Sequence, residues 1–417
     1  MLGAAAGAFL VLGVAVVVGY LGHAIFRRFR VSDILVLLLA GFVLGPLLGF
    51  LDASWLKPAM PILAPLGLVI ILFEGGLELR WDDLRRHGAG ALGFTLLSWG
   101  LTVAAMTVAL HHVARLDWHL AALLACAVGA TGIVAVIPIL AQIKAPAKAR
   151  VWLTVETGLG DLLSAVAVVS LAALYLSGGG GVAFGGMLLA KFALGAAVGI
   201  LGGLAGARLL HHVRERAHAY GATLGMLVLA FVFTEWLGGS GYLGALVFGL
   251  VIGNAHVLTA RGGVPALSSL SERSREQQSE VIFLLRSLYF VFLGMSVGRD
   301  ILSVGSAVVI VALAGTLIGA RLLAVGIAHR GRSAEDRGTR LLLAGMMPRA
   351  MAAAVTASIP VAMGVPGSEG FVALTLLVIV GADIATTAAL FLYERGHRPA
   401  AVDPVGATTA LLTPARR

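Results

Sequence analysis

Charge is scarce in this chain, and negative charge is scarcest. Only 12% of the 417 residues are charged, with 21 Asp and Glu against 30 Lys and Arg. An ordinary soluble domain carries about 25% charged residues, so composition excludes one. Cys126 is the only cysteine, which excludes an internal disulfide; inside an apolar run it reads as a packing residue. The period-2 alternation of an outer-membrane barrel is absent. The N-terminus has neither a basic leading region nor a clear small-residue cleavage site, so its apolar run reads as a span and not a signal peptide. No HExxH, Walker A, GxGxxG or nucleophile elbow occurs in a credible context. Histidines sit mostly at the ends of apolar runs. Neither an enzyme, a metal site nor a bound cofactor is therefore expected.

What the chain has is length in its apolar runs. It is 59% hydrophobic, and runs of 18 or more apolar residues recur, the mark of a polytopic helical membrane protein. Thirteen spans are expected, near 2–26, 31–50, 60–79, 89–112, 119–142, 151–176, 182–210, 221–237, 239–255, 281–298, 301–328, 341–363 and 371–393. The net charge of +9 invites a nucleic-acid reading, but its placement argues against one. Along these spans 23 Lys and Arg fall in loops of one side, three (Lys57, Arg115, Arg299) on the other, and four (Lys191, Arg286, Arg321, Arg349) inside spans. Positive loops face the cytoplasm. The expected topology places the N-terminus outside and the C-terminus inside an inner or plasma membrane.

Two spans carry breaks: GATGIVAVIP at 129–138 and GMMPRAMAAAV at 345–355, with Pro348 beside Arg349. Gly and Pro interrupt a span only where protein or a water-filled cavity satisfies the freed backbone groups. Transporters built from inverted repeats place such breaks at equivalent points of two halves, where they cross at the ion site. Five-span units fit: an extra N-terminal span at 1–30, a first inverted repeat at 31–176, linking spans at 177–238, a second repeat at 239–398 and a cytoplasmic tail at 399–417. Each broken helix is then the fourth of its unit. The polar stretch at 256–280 is expected to be a loop joining the halves, and SGGGG at 177–181 a flexible outside loop.

The residues that carry chemistry stand in the run Val151–Leu176. Glu156 and Asp161 lie mid-span, where a carboxylate costs roughly 2.5–3.5 kcal/mol on insertion scales and marks an ion or proton route. Five residues apart, they point about 140° from each other around a helix, so one can work while the other forms a structural ion pair. Low dielectric favours protonation of a carboxylate, and the same oxygens can hold a desolvated monovalent cation. That competition is the minimal chemistry of an antiporter. Thr131 and Thr157 are candidate oxygen donors. Arg321 and Arg349 need acidic partners or cytoplasmic access, and Glu156 is a candidate partner for one of them. Glu235 and Asp383 are lone acids to which no role is assigned.

Five segments, in order, resemble the monovalent cation:proton antiporter superfamily, the sodium/proton and potassium/proton exchangers. They are LFEGGLELR (72–80), ATGIVAV (130–136), ETGLGDLLSAVAVV (156–169), YFVFLGMSV (289–297) and GMMPRAMAAAV (345–355). The resemblance implies that Asp161 binds proton and cation, that Thr131 and Thr157 occupy ligand positions, and that Glu156 pairs structurally with Arg321. It places Arg349 on the second crossing helix, and implies a homodimer with a core that moves elevator-fashion. Gly132 stands where many members have Asp, Ile133 where they have Pro, and Gly160 where they have Asn or Asp. The expected function is exchange of a monovalent cation, Na+ first and K+ second, for protons. A transport-dead membrane sensor and an organic-anion transporter using Arg321 and Arg349 are the alternatives.

Overall fold

A computed structural model describes residues 4–29, 33–143, 145–177, 181–213, 218–260, 270–296, 303–329 and 337–396. Among them there is no strand. The helices are α1 (Ala4–Phe29), α2 (Asp33–Phe42), α3 (Met60–Glu78), α4 (Trp81–Val113), α5 (Trp118–Ala127), α6 (Ile133–Gln142), α7 (Ala147–Ser177), α8 (Gly181–Val213), α9 (Ala219–Trp236), α10 (Gly241–Gly253), α11 (Ala255–Ala260), α12 (Glu272–Met295), α13 (Val304–Ala328), α14 (Arg337–Gly345), α15 (Met351–Ala362) and α16 (Phe371–Gly396). A π-helical turn, Val43–Leu47, holds Pro46 and continues α2.

Helices lie in each of the thirteen apolar segments, and the fifth and twelfth are each split in two, as α5 with α6 and α14 with α15. Among the described residues, seven helices are long and apolar enough to cross a membrane, and others are shorter. Large apolar side chains point outward from them: Leu201 is 68% exposed, Leu229 69% and Val311 72%. Such an outer surface suits hydrocarbon rather than water.

The stretch 256–280 is expected to be a loop, but both of its described ends are helical, and 261–269 lie outside the described residues. Ala255–Ala260 is helical, and α12 begins at Glu272. Ser271 caps it, its hydroxyl accepting from Ser274 N–H at 3.3 Å, and the run ERSREQQSE then supplies good helix formers. Polarity had signalled solvent, not an absence of helix. Of the SGGGG at 177–181, Ser177 ends α7 and Gly181 begins α8, while 178–180 and the expected tail at 399–417 lie outside the described residues.

Two helix pairs pack by one device. On α2 and α12, Gly41 faces the Val291 carbonyl oxygen and Gly294 faces that of Leu38; a Cβ at either glycine would run into the carbonyl. On α3 and α10, Gly76 faces the Leu246 carbonyl and Gly249 that of Phe73, equally closely. In every case the glycine lies three residues beyond the carbonyl its own helix offers. Small residues let backbones approach where no hydrophobic force drives helices together. The α3–α10 pair is also clasped at one end by Asn254. Its side chain donates to Leu79 O at 2.8 Å and accepts from Trp81 N–H at 2.7 Å.

Two further symmetric sets stand out. Helix α4 packs on α13. Helix α7 packs on α4, α5 and α6 as α16 packs on α13, α14 and α15. Helices α8 and α9 pack on each other and on α10.

The close contact makes a sharp stability test. Gly249→Val is expected to destabilise the protein by roughly 1–3 kcal/mol, the range for overpacking a filled interface. Gly315→Ala, where nothing lies within 4 Å of the added carbon, is expected to cause no loss. Thermal unfolding in detergent reads both.

Candidate functional site

The site is built where the two breaks meet. Residues 128–132 separate α5 from α6, and 346–350 separate α14 from α15. Gly132 N–H donates to Pro348 O at 3.0 Å, and a Cβ at Gly132 would collide with Ala350. The backbones touch because position 132 is bare. An aspartate here would force the breaks apart, which is a packing reason for the glycine.

Breaking a helix strands carbonyls at one end and N–H groups at the other. Arg349 deals with the first. Its Nε donates to Val128 O at 2.7 Å, Nη2 to Gly129 O at 3.4 Å and Nη1 to Met347 O at 3.3 Å. A guanidinium at the negative end of α5 also suits the helix dipole. In place of the acidic partner or cytoplasmic access expected for Arg349, its hydrogen bonds go to backbone carbonyls. Glu156, Asp161 and Asp383 act on it electrostatically from further away.

Asp161 faces the other kind of end. Its Oδ2 accepts from Ile133 N–H, the first residue of α6, at 3.5 Å. This bond is long, and the positive end of a helix favours a negative charge there. Asp161 is 3% exposed, and among the described residues no cationic side chain forms an ion pair with it. One turn earlier on α7, Thr157 is fully buried and donates to Thr154 O at 3.1 Å, leaving its hydroxyl oxygen able to accept. Thr131, in the first break, is buried with no hydrogen-bond partner for its hydroxyl.

Glu156 is engaged on all sides. Arg321 reaches it with both terminal nitrogens, Nη1 to Oε1 and Nη2 to Oε2, the latter at 2.9 Å. Ser98 bridges the pair, donating to Glu156 Oε1 at 3.0 Å and accepting from Arg321 Nη1 at 2.9 Å. Arg321 Nε donates to Leu343 O in the last turn of α14 at 2.5 Å, and the guanidinium lies 5.2 Å from the Phe94 ring centre. A buried pair is tolerable in low dielectric only when its remaining hydrogen-bonding capacity is met, as it is here.

The structure thus brings together Asp161, Gly132, Pro348 and Arg349 at the crossing, and sets Glu156 with Arg321 beside it. Sequence reasoning missed Ser98, Phe94, Trp99 and Ser164. A signal was available: Thr95, Ser98 and Thr102, all buried, form a polar stripe at helical spacing on α4. It also passed over Asp383, which is fully buried on α16. Gly160 packs against Ala130, whose Cβ would lie 3.2 Å from an added one.

The family model described as "Sodium/hydrogen exchanger, transmembrane" matches residues 12–392. The chain belongs to this family. It is a multi-pass membrane protein. Among curated relatives it is 25% identical over 292 residues to the low-affinity Na(+)/H(+) antiporter NhaS1 of Synechocystis sp., covering 68% of this chain and 53% of that one. It is 25% identical over 356 residues to the K(+)/H(+) antiporter NhaP2 of Shewanella baltica, covering 83% and 60%. To Na(+)/H(+) antiporter 1 of Methanocaldococcus jannaschii it is 24% identical over 267 residues, covering 58% and 59%. The matches thus take in just over half the length of these relatives. The fold matches the solved structure of the sodium proton antiporter MjNhaP1 from Methanocaldococcus jannaschii at a TM-score of 0.76 and 20% identity, over 94% of this chain and 97% of that one.

The Glu156–Arg321 pair yields a direct test. Arg321→Met leaves Glu156 buried and unpaired and is expected to cost about 3–5 kcal/mol. The double variant Arg321→Met with Glu156→Leu is expected to recover much of that loss in the same detergent melt.

Proposed function

We propose that this protein is a secondary-active antiporter exchanging a monovalent cation for protons, Na+ first and K+ second. The carrying observation is the contrast between two buried carboxylates five residues apart. Glu156 is neutralised by Arg321, whereas Asp161 faces a helix N-terminus and has no ion-pair partner. A buried charge without a counter-charge is costly, so Asp161 calls for either a proton or a cation. Thr131 and Thr157 stand where hydroxyl oxygens complete a cation's shell. Hard monovalent and divalent cations alike take oxygen ligands, but one carboxylate matches a single positive charge. One proton then trades for one cation, without net charge movement and without covalent chemistry or a bound cofactor.

Alternating access is proposed to rest on two inverted five-helix repeats, 31–176 and 239–398. Three features support them. The glycine–carbonyl contacts recur in mirrored order on α2–α12 and α3–α10. The packing of α7 on α4, α5 and α6 is matched by that of α16 on α13, α14 and α15. Both breaks fall in the fourth helix. A homodimer, residence in the plasma or inner membrane, and an outside N-terminus with a cytoplasmic C-terminus complete the proposal, the last from the asymmetry of Lys and Arg.

The anion reading is weakened by the fate of the two arginines: Arg321 is bound by Glu156, and Arg349 by three carbonyls. The degenerate-sensor reading loses its main support, since Gly132 has a packing role.

The decisive assay is exchange in proteoliposomes with a trapped pH dye, comparing Na+, K+ and Li+. Native protein is expected to release protons on cation addition, and Asp161→Asn to insert normally but release none. Failure of native protein with all three cations, or an active Asp161→Asn, overturns the proposal. Competition at one carboxylate also sets the pH dependence. Below the pH at which Asp161 is half protonated, the apparent KM for cation is expected to rise by about tenfold per pH unit, with kcat little changed.

A further inference from the structure

Two consecutive residues of α4 grip α7 on either side of Asp161. Ser98 holds Glu156, as described, while Trp99 Nε1 donates to Ser164 Oγ at 3.0 Å. Glu156 and Ser164 are eight residues apart, about 12 Å along the helix, and Asp161 lies between them. Ser164 is buried, 2% exposed.

The same indole also touches the first break. A Cβ placed on Gly129 would come within 2.8 Å of Trp99 Nε1 and 3.1 Å of its Cδ1. The Nε1–Cδ1 edge of the ring therefore lies against bare backbone at the end of α5. That backbone is in use, because Gly129 O accepts from Arg349 Nη2. Trp99 is thus shared between the helix that carries the carboxylate and the break that faces it.

We infer that Trp99, through its hydrogen bond to Ser164 and its contact with Gly129, is a positioning residue that sets the gap between Asp161 and the first break, and so the size of cation the site accepts. The inference rests on the antiporter reading. The backbone of residues 128–132 and the α7 carboxylate belong to different helices, so their separation depends on what ties those helices together. On the α4 side the ties are Ser98 and Trp99. Ser98 acts on an ion pair anchored by several other bonds. Trp99 touches both sides, donating to Ser164 and lying against Gly129, and a rigid ring with two side-chain torsions has little freedom to absorb a displacement. Na+ and K+ differ in radius by a fraction of an ångström, so a shift of that size alters which one fits.

The test uses Trp99→Phe, which keeps a ring but removes the N–H, and Ser164→Ala, which removes the acceptor. Both are assayed for Na+, K+ and Li+ exchange alongside native protein and Asp161→Asn. Each single variant is expected to raise KM for the preferred cation roughly three- to tenfold, the worth of one hydrogen bond. Each should also narrow the preference between Na+ and K+, leaving kcat within about twofold of native. The double variant is expected to match the singles, since both remove one interaction. A merely structural role would lower the amount of folded protein without moving the ratio of the two KM values. Unchanged cation preference in both single variants, or additive losses in the double, overturns the inference. If native protein exchanges and Asp161→Asn does not, such an outcome refutes only the role of Trp99; if native protein fails to exchange, the antiporter reading itself falls.

Discussion

The structure depends on one constraint: two helices are broken inside the apolar interior, and every backbone group so released needs a partner. Lipid cannot supply one there, so protein or a water-lined cavity must. The breaks therefore answer each other. Gly132 donates to Pro348, Arg349 collects the carbonyls of Val128, Gly129 and Met347, and Arg321 takes that of Leu343. The N-termini of α6 and α15 carry no side-chain cap from their own N-cap residues, and Asp161 faces that of α6 across a long hydrogen bond. The polar residues of the core are thus explained by the breaks before any transport is considered. A site with one weakly held carboxylate is what is left once the other demands are met.

The arginines divide this work. Arg321 sits at the junction of α13, α7, α4 and the end of α14, and its planar fork makes a bidentate pair with Glu156 while its Nε serves a backbone carbonyl. Lysine could not do both. Arg349 has no such pair. Spreading one guanidinium over three carbonyls leaves its charge partly available to the surrounding carboxylates. Arg349 stays out of direct contact with Asp161, so the carboxylate is not tied to a fixed partner. A direct ion pair would have left no room for a cation.

Much of this was legible in the sequence, and the reason differs for each part. The spans could be read because a bilayer demands length, and the two breaks because Gly129, Gly132 and Pro348 bring the poorest helix formers into otherwise unbroken runs. Glu156 and Asp161 stood out because acids are rare in such runs. What could not be read was who touches whom. Ser98 meets Glu156 from 58 residues away and Arg321 from 223, and nothing local to GFTLLSWG indicates it. Arg349 shows the same limit: a buried arginine suggested an acidic partner or access to the cytoplasm, and nothing local pointed to carbonyls freed by a distant break. The two ends of the 256–280 segment show the opposite failure: polarity was taken for irregularity although residues such as Glu272, Arg273 and Gln277 favour helix.

The glycines at 132 and 160 carry the last step. Beside relatives with a carboxylate at the first position, the chain looks like one that has lost part of its site. The packing says otherwise. The Gly132 N–H bond to Pro348 requires the two breaks to touch, and any side chain at 132 would push Ala350 away. A second carboxylate would bring a second negative charge into a core whose cations are already engaged, and burial without a counter-ion is costly. Close contact of the breaks and a glycine at 132 are therefore one solution: drawing the backbones together removes the room for an acid at that position, and Asp161 stands at the crossing without one beside it there.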